Sequence, residues 1–264
     1  MLAGKGVIVT GAGQGLGRAY ALAAAAAGAG VVVNDVNRDA ATATASDIAA
    51  TGGTAVAVAG SVAVWRVAER LAAACAEAFG SVDGLVANAA VMRNAAPWDE
   101  SEADLRTIAD VNILGVQFTA RHAMRAMVDS GLGGSIVTVV SGARDGIIGM
   151  SAYGASKGAV AAMTANWALA GQERGIRVNA ISPLGLTPMA IADHRPDRPA
   201  LPDPALVAPL VVALLSDATA PLTGAILRFD GTTLSRYGST LEPVASQDGA
   251  WTAATLADLL NAQT

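Results

Sequence analysis

The sequence predicts an α/β protein, a doubly wound sheet of about seven parallel strands with helices on both faces. Three observations predict it. Short Val-, Ile- and Ala-rich runs recur at residues 7–10, 31–34, 55–59, 85–88, 136–140, 177–181 and 225–229. They show little polar alternation, as strands buried on both faces do. Alanine-rich stretches long enough for crossover helices separate most of them. A glycine-rich turn follows the first run directly and leads into the first of those stretches.

From Gly15 to Gly28 there is room for a helix that returns the chain to start a parallel neighbour, and Gly28 is placed to end it. Asp99 or Ser101 starts a later helix, and Glu102 completes a capping box only if Asp99 is the cap. A further helix is expected near 207–216. Before it, residues 194–209 carry prolines at 196, 199, 202, 204 and 209. A Pro-rich loop of that length inside a domain is more often a binding loop than a boundary. One domain spanning 1–264 is the simpler reading, with a substrate loop at about 184–209 and a tail at about 232–264.

Composition excludes several classes. Of 264 residues, 53% are hydrophobic and 15% charged, which is not a disordered composition. The net charge of −5 argues against a nucleic-acid partner, which needs a basic face. The single Cys75 excludes an intrachain disulfide and a multi-cysteine zinc site, and no metal site is expected. The longest run without charged or strongly polar residues, 19–33, is mostly alanine, holds two glycines and falls short of the roughly 20 apolar residues of a spanning helix. The first residues lack the layout of a signal peptide. The expectation is a cytoplasmic protein with no membrane association.

The turn Gly11-Ala-Gly-Gln-Gly-Leu-Gly17 lets the backbone close in on a pyrophosphate while free amides at a helix start face the negative charge. Asp35 ends the second strand, 18 residues past Gly17 and close to the spacing of about 20 for a ribose-binding acid. Its carboxylate can accept both ribose hydroxyls and would repel a 2′-phosphate. No Lys or Arg lies in residues 12–16, although Arg38 is close by. NAD is therefore expected over NADP.

Tyr153-Gly-Ala-Ser-Lys157 places a phenol and an ammonium four residues apart, on one face of a helix. The chain has three tyrosines and only two lysines, Lys5 and Lys157, so the pairing is against its habits. A phenol near pKa 10 is a poor base at neutral pH. An ammonium about 4 Å away at an effective dielectric near 20 supplies about the 4 kcal/mol that would bring it toward 7. Tyr153 could then take a hydroxyl proton while hydride leaves the carbinol carbon. Ser141 ends the fifth run and can hold the substrate oxygen. Asn88 ends the fourth run, and Pro183 follows the sixth. Asn112 falls in a helical stretch, where an ordinary polar surface residue is the plain expectation. These residues share the carboxyl ends of the strands, where open α/β sheets bind ligands.

On the glycine turn, Asp35, Asn88-Ala-Ala90, Asn112, Ser141, Tyr153-Gly-Ala-Ser-Lys157, Val178-Asn-Ala-Ile-Ser-Pro183 and Thr187, the sequence resembles the short-chain dehydrogenase/reductase family over nearly its whole length. The resemblance implies a seven-stranded Rossmann fold and a catalytic tetrad of Asn112, Ser141, Tyr153 and Lys157. It implies that Lys157 also holds the nicotinamide ribose and that Asn112 supports a water-linked proton relay. It also implies a cofactor set of Gly11, Gly13, Gln14, Gly15, Leu16, Gly17, Asp35, Val36, Ser61, Val62, Asn88, Ala89, Ala90, Tyr153, Lys157, Pro183 and Thr187, and a homodimer or homotetramer. Ala90 and Leu184 stand where the family usually has glycine, and the Ser141–Tyr153 spacing is one shorter than its commonest value. A closer likeness is to the hydroxyacyl-CoA dehydrogenase part of peroxisomal multifunctional enzymes. It rests on Val32-Val-Asn-Asp35, Ser61-Val62 with Trp65, residues 207–212 with Ser216-Asp217, and Asp248-Gly-Ala-Trp251; Gly60 departs from it.

The substrate is expected to be a secondary alcohol or ketone, such as a 3-hydroxyacyl-CoA or another hydrophobic hydroxy compound. Its pocket is expected from Met92, Arg93, Arg144, Ile148, Leu184 and Met189, apolar with one or two cationic edges. A serine hydrolase using Ser141 with His122 or His194 lacks the Gly-x-Ser-x-Gly elbow. His122, beside Arg121, reads as a surface residue. A non-catalytic dinucleotide-sensing protein on the same fold is the alternative, against which both Tyr153 and Lys157 are retained.

Overall fold

The computed structural model describes residues 1–191 and 201–238 and the single positions 245, 252, 253, 256 and 259. The chain lays down β1 (Gly6–Thr10), α1 (Gly15–Ala26), β2 (Gly30–Asp35), α2 (Arg38–Ala50), β3 (Thr54–Ala59), α3 (Trp65–Phe79) and β4 (Gly84–Ala87). Then come α4 (Glu102–Ile108), a π-helical turn (Ala109–Leu114), α5 (Gly115–Ser130), β5 (Gly134–Val139), α6 (Ser151–Gly171) and β6 (Ile176–Pro183). The short α7 (Pro188–Ile191), α8 (Ala208–Leu215), β7 (Ile226–Phe229) and β8 (Leu234–Arg236) follow.

The eight strands form one sheet in the order β3-β2-β1-β4-β5-β6-β7-β8. The first seven are parallel, as predicted. β8 is an antiparallel addition beside β7, where the sequence predicts only a tail. Its three residues are all exposed, so no apolar pattern marks them. β3 departs from the expected two-sided burial: it is the sheet edge, and none of its residues is fully buried.

Side-chain alternation divides the core. Val7, Val9, Val31 and Val33 face α1, α2 and α8, where Tyr20, Ile48 and Val211 are buried. Ile8, Val32 and Ile136 face α3, α5 and α6, where Leu71, Met127 and Val160 are buried. Local signals set the helix ends. Gly28, at φ 101°, follows the end of α1 and donates its N–H to the Ala25 carbonyl at 2.9 Å. Asn37 caps α2 by accepting from the amides of Asp39 and Ala40. Ser101, not Asp99, caps α4 by accepting from the Asp104 amide at 3.1 Å, so no capping box forms with Glu102.

The chain runs outward from β1 to β3, then returns to lay β4 on the other side of β1. The connections leaving β1 and β4 therefore diverge, which opens a crevice at their carboxyl ends. Farther along the sheet, Asn179 in β6 is fully buried; it donates to the Leu222 carbonyl at 2.9 Å and accepts from the Ala225 amide at 3.0 Å. These bonds fix the turn that feeds β7. Asn179→Ala strands both backbone groups and is expected to cost about 2–4 kcal/mol, read as a lower urea midpoint at unchanged slope.

Candidate active site

The crevice is built on Thr10 and Asn88. The Thr10 hydroxyl accepts from the amides of Asn88 and Ala89 at 3.0 and 3.1 Å. The Asn88 side chain donates back to the carbonyls of Thr10 and Gly11 at 2.9 and 3.2 Å. Gly11 and Gly15, at φ 62° and 55°, turn the chain over this junction in a region that disfavours side chains. Gly17 fits for another reason. A Cβ there would lie 2.6 Å from Asn88 Nδ2 and closer still to the Gly11 carbonyl.

At the other end of the crevice, Asp35 holds the loop with both oxygens. Its Oδ2 accepts from the Gly13 amide at 2.9 Å and its Oδ1 from the Asn37 amide at 3.0 Å. A Cβ on Gly13 would sit 2.8 Å from that Oδ2, so glycine is what lets the carboxylate in. Asn34, buried beside it, donates to the carbonyls of Val58 and Gly60 at 2.9 and 3.0 Å and ties the ends of β2 and β3 together.

Near the end of β5, Tyr153 and Lys157 stand one turn apart on α6. Lys157 is buried and donates to the Val139 carbonyl at 2.8 Å. Its Nζ lies 5.5 Å from the centroid of the Tyr153 ring. Burial brings the lysine down to about 8. The expected fall of the Tyr153 phenol toward 7 is corrected here. Burial pushes it up to about 12, against the opposing pull of the Ser141 hydroxyl. Desolvation of the phenolate outweighs the hydrogen bond from Ser141. Ser141 caps the turn Gly142–Asp145, accepting from the Ala143 amide at 3.2 Å.

Asn112 differs from the plain sequence expectation. It is fully buried in the π-helical turn between α4 and α5. It accepts from the Val91 amide and donates to the Val91 carbonyl, both at 2.8 Å, and donates to Ser156 Oγ at 3.1 Å. Ser156 in turn donates to the Tyr153 carbonyl at 2.7 Å. Glu100 accepts from the Ala152 amide at 2.9 Å and pins the start of α6. Sequence reading assigned no role to Ser156, Glu100, Asn34 or Thr10's hydroxyl. Only Ser156 carried a signal, its place inside the Tyr153–Lys157 motif.

One cavity of about 450 Å³ unites most of the predicted set. Gly11, Gln14, Gly15, Leu16, Gly17, Asp35, Val36, Ser61, Val62, Asn88, Ala89, Ala90, Tyr153, Lys157, Thr187 and Met189 all line it. Asn34, Gly60, Val91, Val111, Val139 and Pro188 join them, each at or after a strand end or beside a predicted residue. Gly13, Asn112, Ser141 and Pro183 are not in its lining: Gly13 bonds to Asp35, Asn112 to Val91, and Ser141 to the Ala143 amide. Of the predicted substrate residues, only Met189 lines this cavity. Arg93 pairs with Asp104 at 3.1 Å, and Ile148 is 97% exposed. Met92 and Leu184 lie outside the lining, and Arg144 packs on Tyr237. His122 is buried rather than surface, edge-on to Trp65 with ring centroids 4.6 Å apart. His194 lies outside the described residues.

Comparison with known proteins settles the family. The short chain dehydrogenase profile matches residues 5–198. The chain belongs to the short-chain dehydrogenase/reductase family. It is 34% identical over 249 residues to a 2,5-dichloro-2,5-cyclohexadiene-1,4-diol dehydrogenase of Sphingobium indicum, covering 87% of this chain and 97% of that one. It is 36% identical over 249 residues to the L-rhamnose 1-dehydrogenase (NAD(P)(+)) of Azotobacter vinelandii, covering 88% and 97%. A crystal structure of a short chain dehydrogenase from Mycobacterium avium superposes with a TM-score of 0.86 at 34% identity, covering 98% of this chain and 96% of that one.

This short-chain dehydrogenase is an oxidoreductase that interconverts alcohol and ketone with a nicotinamide dinucleotide. The residues present fit that group. A side chain on Gly11 or Gly17 would fill the cradle between β1 and β4. Among the described residues there is no group of three His, Cys, Asp or Glu side chains fit for a metal, and no helix long and apolar enough to cross a membrane.

Two predictions follow from this geometry. Gly17→Ala must prise the turn off the Asn88 side chain and is expected to weaken dinucleotide binding at least about tenfold by calorimetric titration, with the circular dichroism spectrum kept. For Lys157, the folded chain gives up its proton near 8, whereas the unfolded chain holds it to near 10.5. Below 8 both states are charged and the burial cost is present in full; from 8 to 10.5 it is relieved, so stability rises with pH. The wild type should gain about 3 kcal/mol on Lys157→Met across that window in chemical denaturation.

Proposed function

We propose that the enzyme oxidises a secondary alcohol to a ketone, and runs the reverse, with NAD(H) preferred over NADP(H). One observation carries the reading: a single cavity has Asp35 at one end and the Tyr153–Lys157 pair at the other. An acid at the ribose end and a phenol at the reacting end are what such a transfer requires. A hydroxyacyl-CoA or another hydrophobic hydroxy compound is the expected substrate.

The roles follow from the contacts. The bound nicotinamide supplies the hydride acceptor or donor. Ser141 holds the substrate oxygen by its hydroxyl. Tyr153 takes the alcohol proton at its phenolate oxygen, or donates it to the ketone in reverse. Lys157 stabilises the charged phenolate and holds the ribose. Asn112, through Ser156, steadies the first turn of α6 and supports proton exchange with solvent. A phenol raised by burial is ready to act as an acid, but must lose its proton before it acts as a base.

NAD is supported by the negative charge at Asp35 and by the absence of Lys or Arg in residues 12–16. The one sheet joining residues 6–236 supports one domain. A homodimer or homotetramer goes with the reading, supported by a groove of about 290 Å³ where Met124, Val128 and Trp167 meet. A cytoplasmic location also goes with it, supported by the lone, reduced Cys75.

The test is NADH formation with a panel of hydroxyacyl-CoAs, cyclic alcohols and hydroxy acids. Tyr153→Phe is expected to lose about 10²–10⁴-fold in kcat. Alcohol oxidation should speed up from pH 7 toward 10 as the phenolate fraction rises, while ketone reduction, served by a phenol that keeps its proton over that range, should change little. The wild type should favour NAD over NADP at least about tenfold in kcat/KM, and Asp35→Ala should shrink that ratio, as expected if a carboxylate repels the 2′-phosphate. An equal rate with both cofactors in the wild type would refute the NAD assignment.

A further inference from the structure

A cationic cluster lies against the catalytic turn and takes no part in the proton chemistry. Arg228 comes from β7, opposite Ser182 of β6. Gly142, the residue after Ser141, has no positive φ to require glycine. Its missing side chain makes room instead. A Cβ there would lie 2.9 Å from Arg228 Nη1 and 3.9 Å from the Tyr237 hydroxyl. The Tyr237 ring carries Arg144, whose Cζ is 4.5 Å from the ring centroid. Side chains from three separate segments thus converge beside Ser141. With one Cα step of about 3.8 Å between Ser141 and Gly142, the Arg228 guanidinium lies within about 8 Å of the Ser141 backbone.

The charges in this cluster do not balance. Arg144 is answered by Asp145, Nε to Oδ1 at 3.0 Å. Arg228 is half-buried, and its side chain makes no hydrogen bond or ion pair among the described residues. Asp230, the nearest acid in sequence, turns its Oδ1 to the amides of Thr232 and Thr233 and the Thr232 hydroxyl. Among the described residues, the other arginines without such a partner (Arg38, Arg66, Arg174 and Arg236) are exposed to solvent. A half-buried guanidinium has lost part of the water around its five donors and gains from an acceptor. In a chain of net charge −5, an unpaired cation kept beside the Ser141–Gly142 turn, next to the cavity rather than in its lining, selects for an anion.

The geometry points to a carboxylate-recognition site. Arg228, with Arg144 as a second positive charge, holds a carboxylate on the substrate several bonds from the carbinol carbon. The substrate is then a hydroxy acid, oxidised to an oxo acid. A planar guanidinium grips a carboxylate through two parallel hydrogen bonds, which fixes the substrate's orientation as well as its charge. The inference rests on the hydride-transfer reading and narrows its substrate class.

The test does not depend on turnover. Protein saturated with NADH is titrated with hexanoate, benzoate and cyclohexanecarboxylate, each beside its amide, by NADH fluorescence. At least one acid is expected to bind at least about tenfold tighter than its amide. Arg228→Gln should bring that ratio to near one, Arg228→Lys should restore part of it, and Arg144→Gln should lower it by less. Equal binding of all three acids and amides in the wild type overturns the site, as does an unchanged ratio in Arg228→Gln. A smaller assembly by light scattering with the ratio intact also overturns it, and assigns Arg228 to a contact between copies of the chain. Failure of the hydride-transfer reading shows separately, as no turnover of neutral and acidic alcohols alike.

Discussion

The reciprocal hydrogen bonds between Thr10 and Asn88 are the constraint on which the site depends. They span the only place in the sheet where the chain leaves one strand in one direction and its neighbour in the other. Backbone that diverges there would expose unpaired amides and carbonyls in a half-buried crevice, a cost of about 1–3 kcal/mol each. The threonine hydroxyl and asparagine amide satisfy those groups and clamp the glycine turn onto the end of β4. With the turn fixed, the start of α1 faces into the crevice, and Gly13 lies where Asp35 can reach its amide. The cofactor cradle is thus a consequence of closing a gap in the sheet.

The end of the crevice that holds Tyr153 and Lys157 is organised by burial. α6 presents Tyr153 and Lys157 on one face, and the helix carries both behind the end of β5. Lys157 loses its water and gains the Val139 carbonyl, and its affinity for a proton falls. The phenol loses its water as well and holds its proton more tightly. Desolvation moves the two groups in opposite directions because one is charged when protonated and the other when deprotonated. The π-helical turn at Asn112 adds a residue to the helical ladder, a distortion that recurs at functional sites. Here it directs a buried amide at Val91 and Ser156, which links the loop after β4 to the backbone of Tyr153.

The third layer of the site comes from late in the chain. β7 carries Arg228 to the Ser141 turn, and the segment leaving β8 carries Tyr237 to the same place. Gly142 has no conformational need to be glycine, and its small size admits the guanidinium. In the proposed reaction, orientation of the substrate by a distant charge would supplement the hydrogen bond proposed for Ser141. Such remote binding energy positions the reacting carbon and can be used to lower a barrier.

The sequence by itself determined the parallel sheet, its seven strands, the glycine turn, Asp35 and the Tyr153–Lys157 pair. Each is a local matter: a run of β-branched residues, a turn that needs glycine, a helical repeat of four. Tertiary structure decided what depends on neighbours distant in the chain. β8 forms only because β7 offers a free edge, and β3 is an edge although its residues look like those of a central strand. Ser101 rather than Asp99 begins α4, a choice between adjacent residues that pattern left open. Asn112 and His122 sit in stretches that read as ordinary helix, and only packing buries them. The direction in which Tyr153 titrates depends on how much water its fold excludes. The company Arg228 keeps depends on a glycine some 86 residues earlier. Periodicity and propensity act within a few residues, whereas burial and charge balance are properties of the assembled molecule.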